Sequence, residues 1–195
     1  MKKAGILMPV FSLPGKYGIG TLGEEAYRFV DLLCETGNKI WQILPMGPTG
    51  FGDSPYQAFS AFAGNPYFVD LDLLVEEGLL SAEELADPEE FDFGDDDEKI
   101  DYGKLYSSKN KALKLAFTHF KEQGGDVEAL YAELRPETIE YCVFMAIKDS
   151  LSGASWDVWP EELRDCDPKA VAAFRAEHAD EVAFYAFVQY EFNKQ

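Results

Sequence analysis

The chain has 195 residues, 47% of them hydrophobic and 14% aromatic, which is enough for a sizeable core and too apolar for a disordered polypeptide. Its 36 acidic residues against 17 basic ones give a net charge of −19, which repels nucleic acid and anionic membranes and favours a neutral partner over phosphate-rich ligands. Cys34, Cys142 and Cys166 stand far apart with no C-x-x-C spacing, and His119 and His178 are the only histidines, so the expectation is reduced thiols in a cytoplasmic protein with no metal and no cofactor.

The opening MKKAGILMPVFSLPG has a short apolar run broken by Pro9 and no small-x-small cleavage site, which argues against export; no segment reaches the length of a membrane span. Gly5 to Val10 reads as a short buried strand. Thr21 and Glu24 predict a capping box opening a helix, in which Leu22, Ala26, Phe29, Val30 and Leu33 recur at helical spacing, and Gly37 is its natural stop. A second strand begins at Lys39 and runs through Ile40, Trp41, Ile43 and Leu44 to Pro45, as a strand buried on both faces would. The order strand, loop, helix, strand is one right-handed βαβ unit. Gly18, Gly20 and Gly23 match G-x-G-x-x-G, but the loop before them is too long for a tight turn and no acid ends the second strand, so close backbone approach explains them better than a dinucleotide.

After Pro45 the pattern breaks. Pro48, Gly50, Gly52, Pro55, Gly64 and Pro66 punctuate a long segment that carries Phe51, Tyr56, Phe59, Phe62, Tyr67 and Phe68. Phe59, Phe62 and Phe68 are expected to cap the core. Tyr56 has two readings. In Asp53-Ser54-Pro55-Tyr56-Gln57 the ring is flanked by short polar groups beside a proline of fixed φ, which suits a pyranose packed on the ring with its hydroxyls held by Ser, Asp and Gln; packing into the core is the other reading.

From Asp72 the texture turns helical and acidic. Ser81 and Glu84 cap a brief helix, and Asp92 to Asp101 reads as a solvated loop without the glycine and ligand spacing of a calcium loop. Tyr102 to Lys121 and Pro136 to Leu151 are amphipathic helices. Trp156 and Trp159 could face a glucan, but pinning one helical layer onto another is the expected role. Asp167-Pro168 starts another helical region, with a break or restart near Ala179 to Glu181. The last stretch is apolar along one side through Val182, Phe184, Tyr185, Val188 and Phe192. It meets no stop signal and reads as cut. Two strands leave open faces and edges, so the expected fold is α/β, the first units of a larger barrel or doubly wound sheet.

Ser12-Leu13-Pro14, Gly18-Ile-Gly20 with Gly23, Trp41-Gln42-Ile43-Leu44-Pro45, Gly52-Asp53-Ser54-Pro55-Tyr56-Gln57 and Ser60-Ala61-Phe62-Ala63-Gly64-Asn65-Pro66 together resemble the 4-α-glucanotransferase family (amylomaltase, or disproportionating enzyme) of the α-amylase clan. The likeness is dense across residues 5 to 75 and looser afterwards. It implies a (β/α)8 TIM barrel, incomplete in this chain, with residues 1–71 as the first two βα units, 72–176 as a mainly helical insertion and 177–195 as a barrel helix. It also implies transfer of α-1,4-glucan segments between malto-oligosaccharides by a retaining double displacement. The family's catalytic carboxylates lie on later strands, so no catalytic residue falls within this chain, and Asp53, Asp70 and Asp72 do not fill that role. Within the family pattern Tyr56 matches the tyrosine that stacks on the donor glucose, and Ser54 matches a neighbouring polar contact, with Asp53 beside it. Tyr106 suggests an accessory glucan groove whose companion tyrosine is here Phe51. The competing readings are a glucan-binding module without catalysis and an acidic helical interaction protein.

Overall fold

A computed structural model describes residues 3–50, 52–96 and 98–195. The chain forms two compact units, one made of Met1–Gly125 with Glu191–Gln195 and one made of Asp126–Tyr190.

In the first unit, β1 (Gly5–Leu7) and β2 (Ile40–Gln42) pair in parallel, Gly5 opposite Ile40 and Leu7 opposite Gln42, with α1 (Glu24–Glu35) between them in sequence. The strands are shorter than expected, and they are not buried on both faces. Leu7 is 55% exposed and Ile40 47%, because among the described residues the pair has no further strand beside it. One side is covered: Phe29 of α1 meets the Trp41 ring edge to face at 5.0 Å, and Trp41 Nε1 donates to the Met8 carbonyl at 2.7 Å. The C-terminus of α1 follows its glycine. Gly37 adopts φ 74° and lets its own N–H reach the Cys34 carbonyl while Asn38 N–H reaches that of Leu33, the paired bonds of a left-handed cap.

The N-terminus of α1 departs from the sequence pattern. Its N-cap is Gly23, with no side-chain cap. The Thr21 hydroxyl donates instead to Asp70 Oδ2 at 2.5 Å, and a β-carbon on Gly23 would collide with that same carboxylate. Asp70 in turn caps α2 (Leu71–Glu76) by accepting from Leu73 N–H. The expected Ser81–Glu84 capping box is present at α3 (Ala82–Leu85).

The long helix α4 (Tyr102–Glu122), capped by Asp101, buries Leu105, Ala112, Leu113, Ala116 and Phe117 on one side. On the same stripe Lys109 is fully buried, and its Nζ has no hydrogen-bond partner. Burial lowers this ammonium to about 7 while the carboxylates of Asp70 and Asp72 pull the other way. The acidic stretch before α4 is open to solvent at Asp92, Asp95 and Asp96, with Phe91 and Phe93 turned inward.

The second unit contains α5 (Val127–Glu133), α6 (Pro136–Ser150), α7 (Glu161–Arg164), α8 (Pro168–Glu177) and most of α9 (Ala179–Lys194). Asp167 caps α8 over Pro168, and the break before Ala179 falls where sequence puts it. Val182 to Val188 are buried without interruption, so α9 is enclosed all round there, not along a single stripe. Trp159 is buried against Phe144, its indole N–H donating to the Ala154 carbonyl, whereas Trp156 stays half exposed. No helix among the described residues is long and apolar enough to cross a membrane.

Candidate sugar-binding loop

Beyond the C-terminal end of β2 the chain enters a loop that is closed at its neck. Thr49 and Ala58 form an isolated antiparallel bridge, and Phe59 N–H donates to the Pro48 carbonyl. Inside the neck two turns set the shape. Asp53 N–H bonds the Gly50 carbonyl at 3.1 Å with Gly52 and Asp53 both at positive φ, and Gln57 N–H bonds the Ser54 carbonyl at 3.0 Å across Pro55 and Tyr56. Proline fixes the first central position of that second turn, so Tyr56 sits at its apex and is 73% exposed.

Asp53 and Ser54 are half-buried at the base of the same loop. Burial raises the Asp53 carboxyl above the usual carboxylate range, opposed by a hydrogen bond with Thr49. A left-handed aspartate costs backbone energy of order 1 kcal/mol and is held here by its neighbours.

The loop folds over a cavity of about 690 Å³ lined by Pro45, Met46, Pro55, Tyr56, Phe59, Phe62 and Phe192. Phe68 is buried as expected, but Phe59 and Phe62 are not core rings; Phe62 is 52% exposed. The difference has a local cause. Phe68 lies in the 3-10 turn Pro66–Phe68, which packs on α4, whereas Phe62 is in a Ser60-capped bend whose oxygen accepts from Phe62 and Ala63 N–H. These exposed rings and Phe192 are wall residues that sequence reasoning missed.

Tyr106 projects from α4 and is also exposed. Beside it the Tyr67 and Tyr102 rings lie 6.1 Å apart, and the Tyr67 phenol is pushed up by burial and then by the fields of Asp53, Tyr106 and Tyr102. Asp53 is thus brought near the Tyr67–Tyr102 pair, a grouping with no signal in sequence spacing. Phe51 lies outside the described residues. No group of three or more potential metal-ligating side chains occurs among the described residues.

Such an arrangement can bind a neutral, hydroxyl-bearing ring through an open tyrosine face, apolar walls and the Ser60 side chain, whereas Asp53 and Ser54 sit in the adjoining turn and Tyr106 on α4, none of the three among the residues that line the cavity. Loop residues 45–64 carry Asp53 as their sole acid. A single carboxylate cannot serve as both nucleophile and proton donor in glycosidic cleavage.

A family model described as 4-alpha-glucanotransferase matches residues 8–195. The chain is 45% identical over 196 residues to the 4-alpha-glucanotransferase of Thermus thermophilus, covering 98% of this chain and 38% of that protein. It is 43% identical over 189 residues to that of Clostridium butyricum, covering 96% of this chain and again 38% of the relative. Among solved structures, the amylomaltase from Streptococcus agalactiae in complex with acarbose superposes with a TM-score of 0.89 at 38% identity, covering 99% of this chain and 39% of that one. The chain therefore spans well under half the length of the relatives it matches.

Proposed function

The chain belongs to the 4-alpha-glucanotransferase family, and on that premise we propose that it forms the sugar-facing N-terminal part of an enzyme that moves α-1,4-glucan segments between malto-oligosaccharides. The observation that carries the reading is Tyr56, 73% exposed at the apex of a proline-stiffened turn beyond the end of β2 and beside an aromatic-walled cavity.

In this reading β1, α1 and β2 open a (β/α)8 barrel, whose working loops lie at the C-terminal ends of its strands; the open faces at Leu7 and Ile40 are what further strands would cover. Residues 72–176 are an insertion and 177–195 a barrel helix. Tyr56 stacks on a donor glucose while Ser54 and Asp53 engage hydroxyls, and Tyr106 marks an accessory glucan contact. The reaction is a retaining double displacement, which needs two carboxyl groups about 5–5.5 Å apart. Asp53 is the sole acid on its loop, and in this reading the bond-breaking acids lie on later strands of the barrel. Transfer outcompetes hydrolysis when an aromatic platform holds the incoming glucan hydroxyl at high effective concentration and keeps water out. The acarbose-bound state of the Streptococcus agalactiae amylomaltase supports a carbohydrate ligand for this fold.

Two measurements test this. The 195-residue chain incubated with maltotriose should release no glucose and form no longer oligomers. In a full-length relative, Ala at the position of Tyr56 should reduce transfer at least about tenfold, the loss expected when a stacking contact worth roughly 1.5 kcal/mol is removed. Turnover by this chain, or unchanged kinetics of the variant, overturns the reading. The runner-up, a glucan-binding module without catalysis, is favoured by the same exposed tyrosine if calorimetry with maltoheptaose shows saturable binding and no longer polypeptide carries the sequence.

A further inference from the structure

We infer that the last five residues, Glu191–Gln195, are a strap that positions the aromatic loop, with Phe192 and Gln195 as its positioning residues. These residues belong to the same compact unit as Met1–Gly125, although all of residues 126–190 intervene in the chain. They hold the segment that follows the loop at both of its ends.

At one end, the Phe192 ring lies flush on Gly64 and leaves no room there for a β-carbon; the same ring lines the cavity with Tyr56, Phe59 and Phe62. At the other end, the Gln195 side chain pairs with the extended backbone of Asp70 in both directions. Asp70 N–H donates to Gln195 Oε1 at 2.6 Å, and Gln195 Nε2 donates to the Asp70 carbonyl at 3.2 Å, the two-way bonding that a neighbouring strand would provide. Between these anchors Lys194 pairs with Glu77 at the end of α2 as well as with the buried Glu191, so one ion pair ties the strap to α2.

The loop needs such a restraint. Among the described residues, 45–64 form no helix or extended strand; an isolated bridge, turn bonds and the Ser60 bend shape them, and Tyr56, Phe59 and Phe62 are exposed. A segment with little regular backbone hydrogen bonding depends on packing for its shape, and apparent affinity falls in proportion to the fraction in the competent one. By filling the space under Gly64 and pinning Asp70, the strap keeps Tyr56 over the cavity. The restraint on the loop follows from geometry alone; its effect on sugar affinity rests on the glucan reading above.

The test uses the 195-residue chain with hydrogen–deuterium exchange of residues 45–64 and calorimetric titration with maltoheptaose. Phe192→Ala and Gly64→Ala should each speed loop exchange several-fold while α4 exchanges as before, and should raise the maltoheptaose Kd about tenfold, as expected if the competent fraction drops to one tenth. Phe192→Leu, which refills the space, should restore both. Should Phe192→Ala fail to fold, Gln195→Leu, which removes only the two bonds to Asp70, carries the exchange test. Unchanged loop exchange in the folded variants overturns the strap, and a loosened loop with unaltered Kd overturns its effect on sugar affinity. If the unmodified chain binds no maltoheptaose, the binding-module reading falls and the exchange data alone decide for or against the strap.

Discussion

Replacing Lys109 by Met should stabilise the chain, and by an amount that depends on pH. The lysine occupies the inner stripe of α4, fully buried, with no hydrogen-bond partner for its Nζ. Burial lowers its ammonium from 10.5 to about 7, against the opposing pull of Asp70 and Asp72. Below pH 7 both folded and unfolded chains carry the charge, and the full desolvation penalty opposes folding. Between pH 7 and 10.5 the unfolded chain holds a proton that the folded chain has shed, so stability climbs with pH across that window. At pH 7 the penalty amounts to about 4 kcal/mol, a large fraction of what holds a domain of this size together. Met has a similar length and no charge to desolvate, so Lys109→Met should gain most of that amount at pH 7 and progressively less towards pH 10. Urea denaturation of both proteins at pH 6, 7.5 and 9 measures it. A variant destabilised at pH 7, or a difference that does not shrink as pH rises, would refute the argument and mean that Lys109 is charged and paired with the neighbouring carboxylates.

Thr21→Val removes the 2.5 Å hydroxyl bond to a buried oxygen of Asp70; the loss should be about 2 kcal/mol, and Thr21→Ser should recover most of it in the same denaturation assay. Gly37→Ala forces a β-carbon onto a φ of 74° at the end of α1 and should cost about 1 kcal/mol, read as a lower midpoint with unchanged m-value. Cys34 and Cys166 are exposed, whereas burial pushes the Cys142 thiol up to about 12. A thiol reagent at pH 8 should therefore label two sites at once and the third only on unfolding; three fast labels would show that α6 opens readily.

Local signals carried the element order. Glycine at position 37, Ser81 with Glu84, and Asp167 with Pro168 each act within a few residues, and each sits where its chemistry demands. Signals that depend on a distant partner did not survive. Thr21 has the right spacing to cap α1 with Glu24, but a carboxylate 49 residues away captures its hydroxyl. Lys109 lies on the stripe set by Leu105, Ala112 and Leu113, so periodicity marked its position as inward while its chemistry spoke against burial. Phe59 and Phe62 have core composition and surface placement, because proline and glycine take the loop away from the helix that covers Phe68. The polar turn around Tyr56 was legible since proline, serine and aspartate shape it locally; Phe192, far along the chain, gave no hint that it belongs to the same wall.

The bare aliphatic side chains on β1 and β2 give ionic strength control over how this chain behaves in concentrated solution. Leu7 and Ile40 are open on one face of the pair and Ile6 on the other, with Ile43 just past β2, beside edges that no further strand among the described residues covers, while a charge of −19 keeps neighbouring molecules at arm's length. In dilute buffer the mutual repulsion reaches across tens of ångströms; in molar salt it is screened within about 3 Å. Raising salt should therefore turn a dispersed sample into one that scatters light, and a lysine at Leu7 or Ile40 should hold it clear.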